Sequence, residues 1–206
     1  MLFPAPGDKV AYRMAGGGAA VTYAQLEAES NRAARLFRHH GLKPGDGIAI
    51  LMNNCVEYLY LFYGMPRGGF YSVPINVALK GDGLRYILTH SDVKYLVVDD
   101  TLHRRFAELE SPVGAIEKVF VRKTKEDPLP KGAIPLDELL KGSPKKPSLT
   151  PDPEAVTFLM YTSGTTGFPK GVVNRNRSAN IEGFKLLTSL VYKPDDVLYT
   201  CPICMA

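Results

Sequence analysis

From Ile48 to Val121 the chain alternates short, predominantly apolar runs with segments whose apolar residues recur at helical spacing. This alternation narrows the possible folds more than any other feature. The apolar runs are 48–52, 70–73, 95–98 and 119–121. Apart from Ser72 they are apolar instead of alternating polar and apolar, which is the pattern of strands covered on both faces in a parallel sheet. Between them lie helical patterns over 54–63, after Asp82 (Leu84, Ile87 and Leu88 inward) and over 102–109. The first of these is dense in Tyr58, Tyr60, Phe62 and Tyr63 and reads as a core wall. Asn54 with Glu57 is a cap signal for it, and Pro66 with Gly68 and Gly69 is expected to stop it. The expected fold class is α/β, mainly parallel sheet layers flanked by helices.

Upstream, residues 1–20 suggest a frayed hairpin around 10–13. Thr22 and Gln25 then match a capping box. Leu26, Ser30, Ala33, Ala34 and Phe37 share one side, and Gly41 stands where a left-handed cap belongs, so a helix of about 18 residues is expected. His39 and His40 fall at its carboxyl end, where positive charge is favoured. Asp99 and Asp100 follow a strand and are expected to start a turn or helix. Residues 123–154 are rich in Pro and Lys, with one amphipathic piece over 134–140. They divide the chain into a first α/β subdomain (1–122), a connection (123–154) and a second α/β segment (155–206). Within the last, Ser178 is expected to cap a helix through about Val191, with a strand over 197–200.

The segment 155–161 reads as a buried strand and leads into Thr162-Ser-Gly-Thr-Thr-Gly-Phe-Pro-Lys-Gly171. Glycines let several backbone N–H groups converge, hydroxyls add donors and a lysine adds charge, so this loop suits a phosphate. It is not the common phosphate loop, in which lysine directly follows glycine and precedes Ser or Thr. Here Pro169 precedes Lys170 and Gly171 follows it. The plain alternative is a Gly/Thr-rich hairpin turn, which does not require so many donors.

Composition sets outer bounds. The chain has 206 residues, 45% hydrophobic and 22% charged, with a formal charge of +4. Much of that charge lies in 123–146, and no ordered basic face with interleaved aromatics suggests nucleic acid. No apolar run approaches the ~18–20 residues that span a bilayer. Three cysteines, an odd number, do not form a disulfide framework. A cytoplasmic location is therefore expected. Cys201-Pro-Ile-Cys204 has neither the βαβ setting of a redox pair nor a second pair for zinc.

The run 162–171 resembles the motif of the adenylate-forming superfamily, which contains acyl-CoA synthetases, adenylation domains and luciferases. Further landmarks agree in order: Thr22-Tyr23, Gly45-Asp46, Asn53 with Glu57, Gly68-Gly69 through Val73-Pro74-Ile-Asn76, and Leu84-Arg-Tyr-Ile87 through Tyr95–Val98. Within the superfamily the chain is most similar to fatty- or aryl-acid CoA ligases. The resemblance implies that a carboxylic acid and ATP give an acyl-adenylate and pyrophosphate, and that coenzyme A then displaces AMP. It implies that Thr162, Ser163, Gly164, Thr165, Thr166, Gly167 and Lys170 hold the β- and γ-phosphates, Lys170 stabilising charge on the leaving pyrophosphate. Thr165 or Thr166 would face magnesium, a hard cation that takes oxygen ligands.

The family's later motifs for adenine, ribose, metal and the adenylating lysine do not occur before Ala206. The chain is therefore expected to be the N-terminal portion of such an enzyme, inactive alone and completed by a C-terminal part or a homodimer partner. Met205 stands where relatives carry a histidine, and Val173-Asn174-Arg175 where they often carry a Thr-His pair. A non-catalytic phosphate-binding module and an interaction or remnant fragment are the alternatives.

Overall fold

The computed structural model describes residues 7–15, 18–109, 113–150, 152–162 and 168–176. Strands β1 (Val10–Arg13) and β2 (Ala20–Thr22) form the expected hairpin and deliver the chain to helix α1 (Tyr23–His39). The capping box forms: the Gln25 amide donates to Thr22 Oγ1, and the Thr22 amide donates to Gln25 Oε1. Leu26, Ser30, Ala33, Ala34 and Phe37 are all buried. Gly41, at φ 102°, closes the helix in the left-handed conformation that a Cβ disfavours.

Strand β3 (Gly47–Leu51) is buried along its whole length. Helix α2 (Val56–Gly68) departs from expectation at both ends. Its N-cap is Cys55, with no side-chain bond, instead of the expected Asn54; just before it, the Asn53 amide and Nδ2 both donate to Asp99 Oδ2. Pro66 lies inside the last turn instead of stopping the helix, which ends at Gly69 with φ 79°. The extra turn carries Arg67 to α1. There the guanidinium bonds Glu27 Oε2 at 2.8 Å and Asn31 Oδ1 at 2.7 Å. That tertiary tether outweighs the proline's local preference.

Strand β4 (Tyr71–Pro74) is followed by helix α3 (Gly81–His90), capped by Lys80 and not by Asp82. Asp92, at φ 52°, takes the left-handed place beyond its end. Strand β5 (Val93–Asp99), helix α4 (Asp100–Ala107) and strand β6 (Lys118–Arg122) continue the alternation. The 134–140 piece becomes strand β7 (Ile134–Pro135) and a 3-10 turn over Leu136–Lys141. Strands β8 (Val156–Thr162) and β9 (Lys170–Arg175) complete the described elements.

Among the described residues, seven strands form one sheet in the order β7-β6-β5-β3-β4-β8-β9. Every neighbouring pair is parallel except β8 with β9. Alternate side chains feed two cores. Ile48, Ile50, Tyr95, Val97 and Phe120 pack on one face against Phe37 of α1, Leu61 and Met65 of α2, and Leu136 and Leu139 of the 3-10 turn. Ala49, Leu51, Leu96, Val98 and Val121 pack on the other against Leu84, Ile87 and Leu88 of α3 and Leu102 of α4. The fully apolar strands thus reflect a sheet sandwiched between two helical layers, as the sequence pattern implies. Only Tyr161 of β8 is buried, so this strand is half-covered where the sequence suggested burial. The helix expected after Ser178, the strand over 197–200, Cys201, Cys204 and Met205 lie outside the described residues.

Candidate phosphate-binding site

Strand β8 runs parallel to β4 through the pairing of Ser72 with Phe158, so Thr162 leaves the same carboxyl edge of the sheet as the ends of β3, β4 and β5. Open parallel sheets generally present ligands at that edge. Strand β9 returns antiparallel, with Thr162 paired to Lys170 and Tyr161 to Gly171. The hairpin reading and the phosphate-loop reading are therefore not exclusive. The strand pair brings Thr162 and Lys170, both exposed, face to face at the mouth of the loop. Ser163, Gly164, Thr165, Thr166 and Gly167 lie outside the described residues. Among the described residues no carboxylate is paired with Lys170. An unopposed ammonium beside a hydroxyl is a donor set that fits a phosphate and does not by itself bind a metal ion. No cluster of three or more His, Cys, Asp or Glu able to hold a metal occurs among the described residues, and Thr165 and Thr166, the expected magnesium-facing hydroxyls, lie outside them.

The stem of the hairpin is held by residues that the sequence did not flag. A Cβ at Gly171 would stand 3.2 Å from Leu159 Cδ1 and 3.4 Å from the Tyr161 ring. The glycine therefore leaves room for that ring across the strand pair. Burial pushes the Tyr161 hydroxyl up to about 12, so it stays protonated through the neutral range. It lies 2.7 Å from His90 Nδ1 on α3. Beyond the loop, Phe168 stacks on Tyr86, also on α3, with ring centroids 4.7 Å apart. The only advance signal was the spacing of Tyr86 and His90, one helical turn apart on α3.

Two other charged groupings are structural. At the carboxyl ends of β3 and β5, buried Asp99 accepts from Asn53 and, at 2.8 Å, from Arg122 Nε. Asp100 accepts from the amides of Thr101, Thr124 and Lys125. The pair caps and ties elements, as its place after a strand suggested. The basic cleft between α1 and residues 138–148 holds Arg35, Arg38, His39 and Lys141. One of its guanidiniums holds the connection, Arg35 donating to the carbonyls of Lys145 and Lys146, and nearby Arg32 donates to that of Gly142. His40 caps α1, and its carbonyl accepts from Tyr95 Oη at 2.6 Å.

A mostly parallel sheet covered by helices on both faces defines an α/β protein of the helix–sheet–helix kind. Within that class, the family model described as "AMP-binding enzyme" matches residues 4–205, and the chain belongs to this adenylate-forming family. Long-chain fatty acid transport protein 1 of Bos taurus is 36% identical over 202 residues, covering 94% of this chain and 31% of that protein. Crotonobetaine/carnitine–CoA ligase of Salmonella typhi is 29% identical over 181 residues, covering 87% of this chain and 35% of the ligase. The crystal structure of ATP-bound MatB from Rhodopseudomonas palustris superposes with a TM-score of 0.76 at 28% identity, covering 92% of this chain and 36% of that one. The chain thus spans about a third of the length of the curated relatives it matches, and its fold is that of the N-terminal part of adenylate-forming enzymes.

Proposed function

We propose that this chain supplies the phosphate-holding part of an ATP-dependent carboxylic acid–CoA ligase. In the proposed reaction a carboxylate attacks the α-phosphorus of ATP, releasing pyrophosphate, and coenzyme A then takes the acyl group from AMP. The observation that carries the reading is the register of the hairpin. It sets Thr162 and Lys170 opposite one another at the carboxyl edge of the sheet, on either side of the glycine- and hydroxyl-rich segment 163–167. The 36% identity to a protein named for long-chain fatty acids favours an aliphatic acid over an aryl one.

In this proposal Lys170 places its ammonium against the leaving β- and γ-phosphates, and the hydroxyls of Thr162, Ser163, Thr165 and Thr166 donate to their oxygens. Gly164 and Gly167 let backbone amides face the same oxygens. Fixed donors of this kind offset charge as it gathers on the leaving group, without reorganisation during the step. Thr165 or Thr166 would hold magnesium, which would supply Lewis-acid neutralisation of the phosphate charge. The adenine, the acyl group and coenzyme A are assigned to parts of the molecule corresponding to the further two thirds of the relatives. No helix of the described residues is long and apolar enough to cross a membrane. The cytoplasm, where ATP and coenzyme A are both available, suits the chemistry.

Carboxylate-dependent exchange of pyrophosphate into ATP tests the reading. In a protein that joins this chain to those further parts, Lys170→Ala lowers exchange by about 10²-fold, the scale for one lost preorganised donor. An unchanged rate removes Lys170 from the mechanism. The 206-residue chain alone is expected to give no exchange.

A further inference from the structure

Between the last turn of α1 and the chain leaving the 3-10 turn lies a cleft of about 810 Å³, within the ~300–1,000 Å³ usual for small-molecule sites. Leu36 and Pro147, both buried, give it an apolar floor. Its charged walls come from two separate elements. Arg35 and Arg38 belong to α1, and Lys141 to the end of the 3-10 turn. The one carboxylate among the lining residues, Glu138, lies 3.4 Å from His40 Nε2. Of these cations only Arg35 holds the connection, its Nε and Nη2 donating to the carbonyls of Lys145 and Lys146. Those bonds fix the guanidinium and leave Nη1 without a hydrogen bond among the described residues. Arg38 and Lys141 are exposed, and their side chains enter no ion pair or hydrogen bond among the described residues. The carboxyl end of α1 favours a cation such as Arg38. It does not account for Lys141, which a different element brings to the same recess.

We propose that this cleft is an anion site that takes the phosphate monoester group of a ligand, apart from the Thr162–Lys170 pair. Three cations set against one carboxylate attract an anion. A phosphate monoester carries about −1.5 to −2 charge at neutral pH, so it answers several converging cations better than a lone carboxylate does. Arg35 is the fixed part of the site. A guanidinium already held in one orientation offers its remaining N–H groups to phosphate oxygens with less freedom to lose. Arg38 and Lys141 supply charge from facing walls, and the floor at Leu36 and Pro147 meets the carbon skeleton of the ester. The His40 carbonyl, next after α1, accepts from Tyr95 near the start of β5 and from Lys118 at the start of β6. The cleft therefore lies toward the amino edge of the sheet, whereas Thr162 leaves the carboxyl edge. A soluble phosphate ester and a phosphatidic acid headgroup offer this same chemistry, and the experiment separates them.

Titration of the nitrogen-15-labelled 206-residue chain with glycerol 3-phosphate reads the cleft residue by residue. The amide signals of Arg38, His39, Lys141 and Gly142 are expected to shift saturably, and sodium chloride at matched ionic strength to leave them in place. The double variant Arg38→Gln, Lys141→Gln removes two exposed charges that hold nothing else, so the fold is kept. It is expected to weaken binding about tenfold or more, the scale of a lost charge-assisted hydrogen bond. Co-sedimentation with phosphatidylcholine vesicles, with and without phosphatidic acid, gives the second arm. A saturable response to glycerol 3-phosphate assigns the cleft to a soluble ester. Capture by phosphatidic acid that the double variant loses, without a response to the soluble ester, assigns it to a lipid headgroup. Silence toward both probes overturns the proposal, as do shifts confined to Thr162 and Lys170, shifts that chloride reproduces, or a double variant that binds like the parent.

Discussion

Asp99 and Asp100 show how much two adjacent carboxylates differ once their surroundings are set. Asp99 has no exposed surface and lies between Asn53 and Arg122 at the carboxyl edge of the sheet. Asp100 is partly exposed and gathers the chain after β6 back to the start of α4. Burial alone would raise the Asp100 carboxyl, but hydrogen bonds from Thr124, Lys125 and Thr101 outweigh it and hold its pKa at about 2. A carboxyl depressed in the folded state favours folding above its unfolded pKa of about 4. That contribution fades as pH falls toward about 2. Asp100→Asn is therefore expected to cost a few tenths to about 1 kcal/mol at pH 7, small because the group is solvated. The difference from the parent closes between about pH 4 and pH 2. Urea unfolding of both proteins across that range checks it; a difference that persists unchanged at pH 2 would mean that the side chain acts through packing instead.

Helices α1 and α2 cross at Gly64, where a Cβ would lie 2.6 Å from the Ser30 carbonyl oxygen and 2.8 Å from the Ala33 Cβ. One of those neighbours is backbone and cannot rotate away, so the crossing admits no side chain. Gly64→Ala is expected to destabilise the chain by about 2 kcal/mol through overpacking, although alanine is the better helix former. Adding Ala33→Gly relieves one contact and recovers part of the loss. Thermal unfolding of the single and double variants measures both, and a stabilised Gly64→Ala would show that the helices are free to separate. These elements also show which parts of the fold were legible in sequence. Helix α1 was legible because its cap, its apolar stripe and its Gly41 stop are all local. The ends of α2 were not: the cap falls at Cys55 and not at Asn54, and past Pro66 the helix continues to place Arg67 on Glu27 and Asn31 across the tertiary structure. The loop motif was legible by composition. Its hairpin stem was not, because the apolar run of β8 does not reveal that only Tyr161 is buried or that β9 returns antiparallel. The Tyr86–Phe168 stack joins residues far apart in the chain, which no local pattern reports.

At the scale of the molecule, the sheet divides into a centre and an appended hairpin. β3 is paired on both sides, with β4 and β5, and its residues feed two cores at once. A cavity on either face therefore weakens the same strands, and 47–122 is expected to unfold as one unit. The β8–β9 hairpin is attached differently. It pairs with the centre through Ser72 and Phe158, most of its residues are half-buried or exposed, and Val172 and Val173 are 48% and 50% exposed. It also meets α3, through the Tyr161–His90 hydrogen bond and the stack of Phe168 on Tyr86. Regions with few buried contacts open at a lower free energy than the core. Amides of β3 and β5 are therefore expected to exchange only through global unfolding, and those of β9 through an opening at least about 2 kcal/mol less costly. Native-state hydrogen exchange measures both, and Tyr86→Ala should lower protection in β9 while leaving β5 near the parent value. Equal protection across β5 and β9 would make the hairpin part of the central cooperative unit. On the graded outcome the hairpin opens without disturbing the central sheet that carries it.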